Sequence, residues 1–144
     1  MDNDYLEVQL QTINDKIKFS AKSRSNSELT IDYFPPFGDG EGYTSLELLM
    51  ISFASCVSST MAVLLRSRVK RNVSSIHVTA KGKVKEEHPK AFSEIRLNLS
   101  IFSKDTENSD VETLLAALEN KLCPVWSMIK GNVEIKTSYD ICKE

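Results

Sequence analysis

One segment constrains this chain more than any other. From Leu46 to Leu65 nearly every side chain is apolar or small, and a helix without a polar stripe has to be covered on more than one side. Its start is written into Thr44-Ser45-Leu46-Glu47, where Thr44 as N-cap with Glu47 three residues on makes a capping-box pattern. Ser52, Ala54, Ser55, Ser58, Ser59 and Ala62 keep the helix slim. A neighbouring backbone, including one from a second subunit, can therefore approach closely.

Around this helix the period of the apolar residues changes from 3.6 to 2. Val8, Leu10, Ile13, Ile17, Phe19, Leu29, Ile31 and Tyr33 alternate with polar residues in short pieces, which predicts strands with turns at Asn14-Asp15 and Ser25-Asn26-Ser27. Pro35-Pro36-Phe37-Gly38-Asp39-Gly40 reads as a connecting loop. Beyond the long helix, Ile76, Val78 and Ala80, and then Ile95, Leu97, Leu99 and Ile101, predict two strands joined across the polar turn Glu86–Lys90. Ser109-Asp110-Val111-Glu112 suggests a second capping box, and Val111, Leu114, Leu115, Leu118 and Leu122 mark one face of the helix behind it. Cys123-Pro124 starts another helix, with proline in the first turn where it is best tolerated. Val133–Tyr139 is a last strand. Segregated strands and helices predict a single α+β domain over 1–144.

Composition excludes several classes. A net charge of -2 over 144 residues argues against a general nucleic-acid or anionic-membrane surface. The cluster Arg66, Arg68, Lys70, Arg71 fits a helix C-terminus, where cations complement the dipole. The opening Met1-Asp2-Asn3-Asp4 is acidic and unlike a secretory signal. No uninterrupted run reaches the roughly 18 apolar residues of a membrane span. The expectation is a cytoplasmic protein, a setting where a disulfide is usually catalytic or regulatory.

That expectation gives the cysteines their interest. Cys56 lies within the apolar helix, where a lone thiol is normally inert packing. Cys123 opens a helix, where the dipole and unpaired N–H groups favour thiolate. Brought together, the two would form an oxidisable dithiol. Cys142, near the C-terminus, reads as a bystander, and His77 and His88 do not read as catalytic bases. The three cysteines lack the spacing of a zinc site. Phe53, Trp126 and Met128 could line an apolar pocket, although core packing explains them more simply.

The Ser45–Cys56 pattern, the strand pair after it, Cys123-Pro124-Val125 and the terminal strand resemble the OsmC family of osmotically inducible and organic hydroperoxide resistance proteins, over about Tyr43–Ile141. The resemblance lies nearest the uncharacterised OsmC-like branch. It implies antiparallel sheets with long central helices in an intertwined homodimer whose sites form at the subunit interface. It implies a thiol peroxidase that reduces organic hydroperoxides, with Cys56 as peroxidatic and Cys123 as resolving cysteine. A lipoyl-type dithiol would restore the pair, with no metal and no cofactor.

In the hydroperoxide-resistance branch an arginine and a glutamate assist the thiol. The family's carboxylate position falls on Leu46, and Glu47 is the adjacent acid. At about 100° and 1.5 Å per residue, Glu47 points away from Cys56 and lies roughly 13 Å along the axis. Arg24 is the nearest candidate arginine, with Lys18 and Lys22 as alternatives. Two other readings stay open: a non-catalytic dimer that binds a small apolar ligand, and a redox sensor built on the same dithiol.

Overall fold

The computed structural model describes residues 4–143. The chain divides after Leu49 into two compact units.

In the first unit, β1 (Gln9–Thr12), β2 (Phe19–Lys22) and β3 (Leu29–Ile31) form an antiparallel sheet in that order. Leu10 pairs with Ala21 and Phe19 with Ile31. The alternating pattern is legible because each short strand carries one or two apolar positions bounded by turn residues. The Pro- and Gly-containing loop then closes on Asp32, which is buried and accepts backbone N–H groups from Tyr33, Asp39 and Glu41 at 2.8, 3.1 and 3.2 Å. Gly38 makes this possible, since a Cβ there would stand 2.1 Å from the Tyr33 carbonyl oxygen. Helix α1 (Ser45–Ser67) starts with the expected cap. Glu47 accepts the Thr44 N–H at 2.8 Å, and Thr44 Oγ1 accepts the Glu47 N–H at 3.2 Å.

The second unit holds the core. Along α1, Phe53, Val57, Met61 and Leu65 recur every four residues and are buried, the stripe that an i, i+4 helix face presents. Strands β4 (Val73–Val84), β5 (Phe92–Ser103) and β6 (Glu134–Cys142) form a sheet with β5 in the middle. From β5, Ile95, Leu97, Leu99 and Ile101 join the α1 stripe in one cluster. Truncating any of these to Ala costs about 2–5 kcal/mol by the usual combination of lost transfer energy and residual cavity. Gly82 on β4 is required by packing, because a Cβ there would come within 2.3 Å of the Phe92 ring.

The α+β class stands, and four details differ from expectation. The β4–β5 hairpin is antiparallel, but β6 runs parallel to β5, so this sheet is mixed; alternation fixes which face a residue takes, not strand direction. Helix α2 (Asn108–Ala117) begins earlier than Ser109-Asp110-Val111-Glu112 suggests: Glu107 is the N-cap, and Asp110 accepts its N–H at 2.9 Å. Asp110 is drawn there by the Arg71 guanidinium at 2.8 Å. Val111, Leu114 and Leu118 are buried as expected, whereas Leu122 is exposed. The chain from Leu118 to Leu122 is a π-helical turn, and its extra residue breaks the 3.6 period that would have put Leu122 on the same face.

The fourth concerns the membrane. Contrary to the count of uninterrupted apolar residues, α1 is long and apolar enough to cross a bilayer, with a mean hydropathy of 2.0. Its Glu47, serines and Thr60 interrupt a strict apolar run, but the leucines, isoleucine, valines, alanines and cysteine around them keep the average high. Its buried stripe is spent on its own core, and such a profile is shared by the central helices of compact proteins.

Candidate functional site

Two elements of the second unit bring Cys56 and Cys123 together. Cys56 sits on α1, three residues after Phe53, and is half-buried. The π-helical turn ends at Cys123, whose N–H donates to the Leu118 carbonyl at 3.1 Å. That residue is also the N-cap of α3 (Pro124–Ile129). Its extended conformation, φ -93° and ψ 107°, turns the sulfur back over the helix start, where it accepts the Trp126 N–H at 3.4 Å. Pro124 favours that geometry twice, by holding the preceding residue out of the α region and by fitting the first turn.

The Cys123 Sγ–H donates to Cys56 Sγ across 3.0 Å, and both thiols are free. Cys123 is only 2% exposed. Its pKa is pushed from 9.0 up to about 11, first by burial and then by its contact with Cys56, against the pull of the Trp126 and Val125 N–H groups. This reverses the expectation that a helix start would favour thiolate at Cys123. A six-residue helix offers a weak dipole, and desolvation of the charged form outweighs it. Cys123 therefore keeps its proton and donates it toward the more accessible Cys56 sulfur.

Beside the thiols, Phe53 and Trp126 meet edge to face, with ring centroids 5.5 Å apart and planes at 78°. Both are buried, so they act as core, while Met128 is 72% exposed. Glu47 is committed to the α1 cap. Arg24 is an exposed turn residue of the first unit with φ 56°. Among the described residues, the thiols' hydrogen-bond partners are each other and the α3 backbone, and neither Glu47 nor Arg24 is among them. His77 packs on Phe102 at 4.9 Å, and Cys142 ends β6. Within the basic cluster, Arg66 Nε donates to the Val73 carbonyl and Arg71 pairs with Asp110.

Sequence reading missed one cluster. Oxygens of Asp32, Asp39 and Glu41 converge within 4.8 Å of one another. Protein donors already engage them: the three backbone N–H groups on Asp32, Lys16 on Asp39 at 2.7 Å, and Lys18 on both Asp39 and Glu41. Burial alone would raise the Asp32 pKa, but the backbone donors and nearby Lys18 bring it below the ordinary carboxylate value. The cluster anchors its loop, and its members stand close in sequence without forming a recognisable spacing motif.

A sheet-backed apolar helix facing a helix-capping thiol defines an α+β dithiol protein. The OsmC-like protein family model matches residues 38–138, and the chain belongs to that family. A hypothetical protein from Aquifex aeolicus VF5 is similar at 27% identity and TM-score 0.84, over 97% of this chain and 98% of that one. An OsmC-like protein from Mycoplasma pneumoniae shares the fold at 15% identity and TM-score 0.81, over 98% and 99%. So does an organic hydroperoxide resistance protein from Legionella pneumophila, at 15% identity and TM-score 0.70, over 97% and 99%. Comparison with curated proteins gives no match.

Proposed function

We propose that this protein is a thiol-dependent peroxidase for organic hydroperoxides, working through a Cys56/Cys123 dithiol–disulfide cycle in oxidative stress defence. The observation that carries the reading is the 3.0 Å approach of a buried, protonated Cys123 to the more accessible Cys56. Family membership supports a role in peroxide and stress defence.

The division of labour follows from exposure, since Cys56 is half-buried and Cys123 is enclosed. Cys56, as thiolate, attacks the outer oxygen of ROOH; the O–O bond breaks, and the alkoxide takes a proton to leave as alcohol. Cys56 is left as sulfenic acid. Cys123 then attacks the Cys56 sulfur, its proton leaves with the hydroxyl as water, and the disulfide forms. A lipoyl-type dithiol reduces the disulfide and becomes a disulfide itself. Since Cys123 is enclosed, the reductant enters at Cys56, and Cys123 is the leaving thiol. No metal or cofactor takes part. The exposed side chains Leu49, Ile51 and Val63 on α1 suit a homodimer in which a second copy covers that helix, and the reading places the protein in the cytoplasm.

The test is consumption of cumene hydroperoxide by the purified protein with dihydrolipoamide, beside Cys56→Ser and Cys123→Ser. Turnover abolished in Cys56→Ser, with a sulfenic acid trapped in Cys123→Ser, supports the cycle. No turnover from a protein with titratable thiols overturns it in favour of ligand binding or redox sensing.

A further inference from the structure

The 3.0 Å meeting of the sulfurs is flanked by a second meeting with the same spacing. Phe53 precedes Cys56 by three residues on α1, and Trp126 of α3 follows Cys123, the N-cap of that helix, by three. Residues three apart share a helix face. The two helices therefore touch through two adjacent pairs, sulfur on sulfur and ring on ring. Of the two, only the ring pair brings substantial buried area, because both aromatics are almost wholly enclosed.

This matters because α3 cannot hold its own position. It has six residues, far below the length at which a helix persists unaided. A π-helical turn precedes it and Gly131, at φ 90°, lies just beyond it. The cap of Cys123 on the Trp126 N–H ties the sulfur to the same residue whose ring packs on Phe53. Whatever fixes Trp126 fixes the Cys123 sulfur.

We infer that Phe53 and Trp126 are positioning residues for the dithiol: their edge-to-face contact sets the effective concentration of the Cys123 thiol at Cys56. The inference deepens the proposed cycle and rests on closure of that disulfide, yet it concerns no peroxide. Closure by glutathione disulfide isolates it. One oxidised glutathione takes two electrons and two protons from the pair, leaving the protein disulfide and two reduced glutathiones.

The experiment equilibrates the intact chain in glutathione buffers of graded ratio and reads the Cys56–Cys123 disulfide by mass spectrometry of alkylated protein. Wild type, Trp126→Ala, Trp126→Phe and Phe53→Leu are compared, each checked for native far-UV circular dichroism. The expected result is a fall of about tenfold or more in the equilibrium constant for closure in Trp126→Ala, a shift of roughly 30 mV for this two-electron couple. Trp126→Phe restores most of it. Phe53→Leu, which keeps a large apolar side chain but removes the ring pair, falls between and serves if Trp126→Ala does not fold. Equal constants in wild type and Phe53→Leu, or no rescue by Trp126→Phe, would overturn the inference. A wild-type protein that closes no disulfide at any ratio would overturn the proposed cycle as well, which separates the two failures.

Discussion

The chain contains two concentrations of reactive groups, and they obey opposite rules. In the first unit, Asp32, Asp39 and Glu41 meet Lys16 and Lys18. Every charge there has a counter-charge or a backbone donor, and much of the cluster faces water. In the second unit, Cys56 and Cys123 meet among apolar side chains without a salt bridge, and Cys123 stays protonated because charge is costly there. A dense charged cluster attracts attention as a possible site, yet its groups are saturated. The quiet apolar pair holds the unspent chemistry.

Mutation sharpens that contrast, beginning with the largest effect. Cys56→Ser should abolish disulfide formation and peroxide turnover while leaving the melting temperature close to wild type, whereas Asp32→Ala should do the reverse. Three backbone N–H groups lose their acceptor in Asp32→Ala, and about 2–3 kcal/mol of stability should go with it, read by denaturant titration. Peroxide turnover that falls with Asp32 and survives without Cys56 would break the comparison.

The thiol pair should also carry a pH signature. Cys123 has a folded pKa raised from 9.0 to about 11, so the folded state retains a proton that the unfolded state loses. Its contribution to stability is complete below about pH 9 and declines as pH rises toward 11, by up to about 2–3 kcal/mol in the reduced protein. The same shift should make disulfide closure from trapped Cys56 sulfenic acid accelerate about tenfold per unit through pH 8–10 if the Cys123 thiolate is the attacking species. Stopped-flow traces of closure check this, and a flat profile would mean that the proton leaves in concert with attack.

Smaller effects belong to the cap and to the surface ion pairs. Thr44→Ala should cost about 1 kcal/mol, and Glu47→Gln less than that with turnover unchanged, since the amide oxygen can still accept the Thr44 N–H. Lost turnover in Glu47→Gln would restore Glu47 as an assisting carboxylate. Lys16→Met should change stability by under about 1 kcal/mol, as exposed pairs do.

Much of the fold was legible because its signals were local. The Thr44/Glu47 cap and the β4–β5 hairpin announce themselves within a few residues. A helix apolar nearly all round, by contrast, does not show that only its Phe53, Val57, Met61 and Leu65 stripe is buried within this chain. What escaped was non-local or aperiodic. The π-helical turn at Leu118–Leu122 leaves no periodic trace, so Leu122 was expected inside. Strand direction at β6 is set by a crossover that alternation does not encode. At the site, the pairing of Cys56 with Cys123 came through family resemblance, and the coordinates bring those two sulfurs together. The protonation of Cys123 was misjudged because a helix start can be named from sequence while its burial cannot. Core packing of Phe53 and Trp126 holds, while the ring contact between them is non-local and leaves no trace in the sequence.

The central claim is that Cys56 and Cys123 together consume an organic hydroperoxide. Reduced protein should be mixed with one equivalent of cumene hydroperoxide, its remaining thiols counted, and its disulfide mapped by peptide mass spectrometry. The account predicts two thiols lost per peroxide, a Cys56–Cys123 linkage, and Cys142 still free. Peroxide left unconsumed, or a linkage through Cys142, would contradict it.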